Sequence, residues 1–195
     1  MKKVNRMAHP LDTLAKRQAA YACDVIHEFH HFPGTYLGPL GNEYPSADGS
    51  IPRVDSAYCV LLDEEKFVLN WEDESTRVDE KTLEKINVYR KNLEYGKTHV
   101  ISVITTDVSL SRCTKVFEIS PSLILRPLIV SYLDYDGEKR LSSIEAKIKN
   151  KEVLSNVVAM NLIMIPRMFE EVSQELLYKL CNLLRIVELK DKTSN

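Results

Sequence analysis

The spacing of apolar residues changes period several times along this chain, and each change marks an element. Leu11, Leu14, Ala22, Val25 and Phe29 recur at helical spacing behind Pro10. They predict an amphipathic helix over 11–31, stopped by Pro33-Gly34. The stretch 33-PGTYLGPLGNEYPSADGS-50 shows neither period; it predicts a long connection, of a length usually kept for mobile or functional loops. Alternation then takes over. The runs 53-RVDSAYCVLL-62 and 66-KFVLNWEDES-75, joined by polar Asp63-Glu64-Glu65, predict a β-hairpin. Helical spacing returns over 79–95 and ends at Gly96, a C-cap residue. Strand-like 98-THVISVITTD-107, 114-TKVFEIS-120 and 122-SLILRPLIVSYL-133 follow, the last broken by Arg126 and Pro127. From Asp136 onward the segments 138–150, 152–165 and 170–189 read as helices.

This order predicts an α/β fold with a mixed central β-sheet flanked by helices and a helical C-terminal segment. The expected division is a core over 1–135 and an extension over 136–195 packed on it. A length of 195 residues, 44% hydrophobic and 28% charged, suits one globular domain and excludes a disordered chain. The net charge of −2 gives no whole-molecule field for nucleic acid, so any such partner must be held by a local patch or through a metal. Cys23, Cys59, Cys113 and Cys181 form no CxxC pair and predict reduced, mostly buried thiols of a cytoplasmic protein. The basic start, MKKVNRMAHPLD, has no apolar run behind it and is not a secretory signal. No apolar stretch is long enough to span a bilayer, so no membrane partner is expected. Motifs of the GxGxxG, GxxxxGK(S/T) and GxSxG types do not occur.

The stretch 27-HEFHH-31 matches HExxH, the pattern of a zinc peptidase with His27 and His31 as ligands and Glu28 as base. Stepping 100° per residue from Val25 puts His27 and His31 on the solvent side. Every strand candidate lies downstream, and Leu37 stands where a metzincin has its further histidine. The preferred reading is therefore the polar end of a helix. Glu28 falls at the edge of the apolar stripe, where it could look toward the sheet as the outer member of an acidic site.

The hairpin carries sharper chemistry. With Glu64-Glu65 as its turn, Leu62 faces Phe67, Asp55 faces Glu74, and Glu72 lies diagonal to Asp55 on the same face. Opposed side chains sit roughly 5 Å apart and diagonal ones about 7 Å, within reach of one shared cation. Oxygen donors of this kind suit Mg2+ or Mn2+, and crowding should raise their pKa values. The alternative is that Glu72, Asp73 and Glu74 solvate a strand end. Phe67, Leu69 and Trp71 alternate with the acids and are expected in the core. Lys147 and Lys151, at i, i+4 on the helix 138–150, predict a solvated face that could also touch a phosphate backbone.

The pattern D-x16-E-x-E across strand, turn and strand, ending 70-NWEDES-75 before a helix, resembles the PD-(D/E)xK nuclease superfamily. It is most similar to the Rpn-like branch of recombination-promoting nucleases and transposase-like proteins. That branch often shows N-[apolar]-E-x-Q-S here, a short motif like 12-DTLAKR-17, and a helical region like that from Asp134 through 147-KIKNKEVLS-155 to 162-LIMIPRM-168. The resemblance implies a restriction-endonuclease-like core and a divalent-cation-dependent DNA endonuclease. Asp55 and Glu72 would be the metal-binding acids, with the Asp73 carbonyl as a further ligand. The superfamily's lysine position is Glu74 in this chain, so a basic residue of the next helix, Lys85, Arg90 or Lys91, could take its place. Lys66 has the right parity but lies roughly 20 Å up the strand. Without such a cation the implied role is a nucleic-acid or protein binding module. Nucleases that cut both strands often pair two active sites, so a homodimer is expected too.

Overall fold

The run from Val68 to Asp73 is buried without interruption, the pattern of a central strand covered on both faces. The computed structural model describes residues 22–40, 54–93 and 99–193. Helix α1 is Cys23–His30, followed by strands β1 (Thr35–Pro39), β2 (Ser56–Leu62) and β3 (Glu65–Glu74). Helix α2 (Glu80–Leu93) leads to β4 (His99–Thr106), and β5 (Phe117–Ser120), β6 (Leu123–Leu125) and β7 (Leu128–Ser131) follow. Helices α3 (Gly137–Lys149), α4 (Asn156–Met164) and α5 (Gln174–Thr193) end the described chain, with a 3-10 turn at Ile165–Met168 between α4 and α5.

The main sheet has the order β1-β2-β3-β4-β7. Its first strands pair antiparallel, whereas β3, β4 and β7 run parallel. The architecture is α/β with a mixed five-stranded sheet, and β5–β6 form a separate hairpin. Leu69 and Trp71 of β3 face α1 and the C-terminal helices, meeting Val25, Phe29, Leu162 and Met164 in one core. On the other face α2 covers the sheet through Leu83 and Ile86 with Ile104, and through Leu93 with Val68 and Ala57. Each large side chain fully buried this way contributes about 1.5–3 kcal/mol.

Several expectations are corrected. The span 33–50 is not all loop, since Thr35–Pro39 pairs with β2; a short edge strand carries too few residues for period-two alternation to show. Residues 41–50 of that span, 11–21 of the first helix, and Gly96 lie outside the described residues. The hairpin turn is Asp63-Glu64, both at positive φ, with Leu62 opposite Glu65. Asp tolerates the left-handed backbone that a tight hairpin turn requires, so the turn forms one residue earlier than Glu64-Glu65. Pairing sums fall by two, which preserves every residue's face. Asp55 thus moves from opposite Glu74 to beside Glu72. Pro127 offers no N–H to a ladder, and the strands on either side of it join different sheets. None of the four cysteines forms a disulfide among the described residues, but only Cys23 is buried and Cys181 is exposed. Among the described residues, no helix is long and apolar enough to cross a membrane.

Candidate functional site

The C-terminal ends of parallel β3 and β4 lie side by side, the edge at which α/β sheets usually place their ligands. Asp55, just before β2, and Glu72 meet there through the backbone. The Asp55 N–H donates to Glu72 Oε1 at 3.0 Å, and the Asp73 N–H donates to Asp55 Oδ2 at 3.0 Å. Each carboxylate is therefore held by an amide of the neighbouring strand, and the two share the α2 face. Glu72 is 1% exposed and Asp73 also 1%, so this is not a solvated strand end.

Helix α2 brings the cation. Asp79 caps it, its Oδ1 accepting from the Thr82 N–H at 3.0 Å and the Thr82 hydroxyl at 3.2 Å. About two turns into the helix, Lys85 Nζ sits 2.7 Å from Glu74 Oε1 and 3.2 Å from Glu72 Oε2. Of the basic candidates on this helix, Lys85 reaches Glu72 and Glu74, and Arg90 donates to Asn87 Oδ1. Burial, and then the negative charge of Asp55, push the Glu72 carboxyl up to about 8, with Lys85 opposing. The raised pKa expected of crowded carboxylates appears at Glu72. Lys85 is held above the ordinary lysine range by Glu72 and Glu74, against a burial effect of the opposite sign. Below about pH 8 Glu72 keeps its proton and Lys85 has Glu74 as its ionic partner.

Other candidates do not converge. Glu28 is exposed and α1 packs on the Trp71 face, so Glu28 cannot approach the acids from across the sheet. His27, expected at the surface, is buried. Its Nε2–H donates to the Gly34 carbonyl at 2.9 Å and its Nδ1 accepts from the Tyr58 hydroxyl at 3.4 Å. The helix ends at His30, and His31 is its left-handed C-cap with φ 53°, so His27 and His31 are not a ligand pair one turn apart. The wheel misplaced His27 because β1 and Tyr58 cover a face that the sequence shows as polar. Lys147 and Lys151 are exposed, on the layer opposite the acids. However, α3 ends at Lys149 and Lys151 stands beyond it at φ 58°, so the two do not form an i, i+4 pair on one helix. Among the described residues no group of at least three His, Cys, Asp or Glu side chains could hold a metal ion. The expected sharing of one cation by Asp55, Glu72 and Glu74 is therefore not seen; Glu74 is turned to Lys85.

Sequence reasoning missed what lies behind Asp73. Its side chain points to the other face, where Arg167 donates to Oδ2 at 2.6 Å and to Oδ1 at 2.9 Å. Thr105 Oγ1 also donates to Oδ1 at 2.7 Å. The available signal was a lone arginine within apolar 162-LIMIPRM-168. It also missed Asn70 and Ser102, register partners on β3 and β4, whose buried Asn70 amide and Ser102 hydroxyl have no hydrogen-bond partner among the described residues. Compared with family models, curated proteins and solved structures, the chain matches none.

Proposed function

We propose that this chain is a divalent-cation-dependent DNA endonuclease of PD-(D/E)xK type, close to the Rpn-like branch, with a restriction-endonuclease-like core around β2, β3, α2 and β4. The observation that carries the reading is Lys85 Nζ at 2.7 Å from Glu74 and 3.2 Å from Glu72. Where the strand has Glu74 in place of the superfamily's lysine, the next helix supplies one to the same spot. A cytoplasmic location and a homodimer belong to the same proposal, since paired sites would cut both strands of a duplex.

The donor set suits Mg2+ or Mn2+. Mg2+ is commonly held by one or two carboxylates, with water and substrate phosphate completing its shell. Asp55 and Glu72 supply hard oxygen donors fixed by backbone amides, with the Asp73 carbonyl as a further candidate. Lys85 answers Glu72 and Glu74. The Asn70 amide and Ser102 hydroxyl, on the same face and buried without a partner among the described residues, suit a hydrated ligand. A cation held there would supply a Lewis acid and an activated water for attack on a phosphodiester. Glu74 orients the Lys85 ammonium, which faces the charge developing on the phosphate oxygens.

Plasmid DNA incubated with Mg2+ or Mn2+ tests this. Nicking is expected with wild type, none with Asp55→Ala, and a loss of about 10^2–10^3 in rate with Lys85→Met. Absence of cleavage with either cation overturns the enzymatic reading. Salt-sensitive DNA binding without turnover would then identify a binding module.

A further inference from the structure

We infer that Arg167 is a positioning residue, setting the acidic site from the far face of the sheet through Asp73. This rests on the proposed cation site, and it assigns a task in that site to the C-terminal helical segment.

Residue 73 links the two faces of β3. Its neighbours Glu72 and Glu74 point toward α2, so strand alternation sends the Asp73 side chain the other way. Its backbone N–H nevertheless donates to Asp55 Oδ2 at 3.0 Å, on the acid side. Whatever fixes Asp73 therefore fixes the donor that holds Asp55.

Arg167 does so with a full fork. Its Nη1 and Nη2 take both oxygens of Asp73 at 2.6 and 2.9 Å, and its Nε donates to Asp107 just beyond β4. The guanidinium lies over the Tyr132 ring, 3.9 Å from its centroid. Thr105 completes the grip, donating to Asp73 Oδ1 at 2.7 Å while accepting from the Trp71 indole N–H at 3.1 Å. Side chains of β3, β4 and the 3-10 turn after α4 thus meet on one carboxylate.

Stability does not require such an arrangement. Apolar groups of similar volume often replace a buried ion pair without loss, and the surrounding core is apolar. What an apolar contact would not supply is direction. A bidentate arginine–carboxylate pair defines the plane and distance of both groups. Partners one layer behind metal ligands typically change cation affinity when removed, because they orient what binds.

The test compares wild type with Arg167→Met, which keeps the length, and Arg167→Lys, which keeps the charge but not the fork. Amide hydrogen exchange is read residue by residue, and Mn2+ affinity is measured by titration. Arg167→Met leaves a buried carboxylate unpaired and so speeds every amide that exchanges by global opening by one common factor. Beyond that factor, read on Val68 and Leu69 of the same strand, the Asp73 amide is expected to exchange about ten-fold faster or more. Mn2+ affinity should fall about 10- to 100-fold, and Arg167→Lys should recover part of both. A merely structural arginine would speed all three amides together, and that uniform change overturns the inference. If wild type takes up no Mn2+, the cation site falls, while the exchange comparison still decides the role of Arg167. Should Arg167→Met fail to fold, the same exchange pattern in Arg167→Lys decides it.

Discussion

Glu72 and His30 are buried titratable groups on opposite faces of the sheet, and they change stability with pH in opposite senses. Burial and Asp55 raise the Glu72 carboxyl from 4.5 to about 8. The folded chain therefore holds a proton that the unfolded chain has lost, and stability falls as pH rises through that window. The slope reaches at most about 1.4 kcal/mol per pH unit. His30 behaves in the reverse sense. Burial, followed by the charges of Arg167 and Arg140, holds it well below 6.5, with Tyr135 and Tyr132 hydroxyls at 3.0 and 3.4 Å from its ring nitrogens. Its contribution is present above 6.5 and is lost as pH falls, because the unfolded chain takes up a proton that the folded chain refuses. Urea unfolding between pH 5 and 9 should show Glu72→Gln flattening the decline between about pH 5 and 8, and His30→Gln weakening the loss of stability as pH falls below 6.5. A Glu72→Gln curve parallel to wild type would mean that Glu72 is ionised in the fold throughout.

At the level of elements, the junction between α1 and β1 depends on one glycine. Gly34 has φ +84°, and a Cβ placed there would lie 2.8 Å from the Leu61 carbonyl oxygen of β2. Its own carbonyl accepts from His27, so the position joins helix end, edge strand and buried imidazole. Gly34→Ala brings left-handed strain and a backbone clash together and should lower stability by about 1–3 kcal/mol. The check is urea unfolding with an unchanged m value, alongside faster hydrogen exchange in β1. Stability within a few tenths of wild type would show that β1 can slide to make room. The adjacent helix end is less demanding: His31 takes the left-handed cap, and the N–H groups of His31 and Phe32 return to Glu28 and His27 carbonyls.

For the whole molecule, the larger core does not stop at residue 135. Tyr58, Leu69 and Trp71 of the sheet share it with Leu141, Ile144 and Leu162 of the C-terminal helices, and Arg167 closes the Asp73 carboxylate. A chain ending at residue 135 would expose the Trp71 face, and Asp73 on that face with it, and would lose the apolar burial that Leu141, Ile144 and Leu162 supply there. Such a fragment should not unfold cooperatively, and the emission of its single tryptophan should sit at the wavelength of the denatured chain. Cooperative unfolding with blue-shifted emission would show that the sheet and α2 stand without α3–α5.

The sequence by itself determined the order of elements, the mixed α/β class, and the face on which Asp55, Glu72 and Glu74 stand. Period-two alternation fixes side-chain parity, and parity survived a turn displaced by one residue because the pairing moved by two. It also named Lys85 among the helix residues that could meet the acids, since α2 follows β3 after a short connection. Tertiary structure decided the rest. That His27 is buried, that Glu28 faces away from the acids, and that Asp73 is clamped by Arg167 all follow from which layer covers which face. Those contacts join residues 27 with 58 and 73 with 167, and local spacing carries no information about partners so far apart. The acidic cluster sits at that boundary: the strand supplied its acids, and packing of α2 and the C-terminal segment decided which of them meet, which one turns to lysine, and what holds them in place.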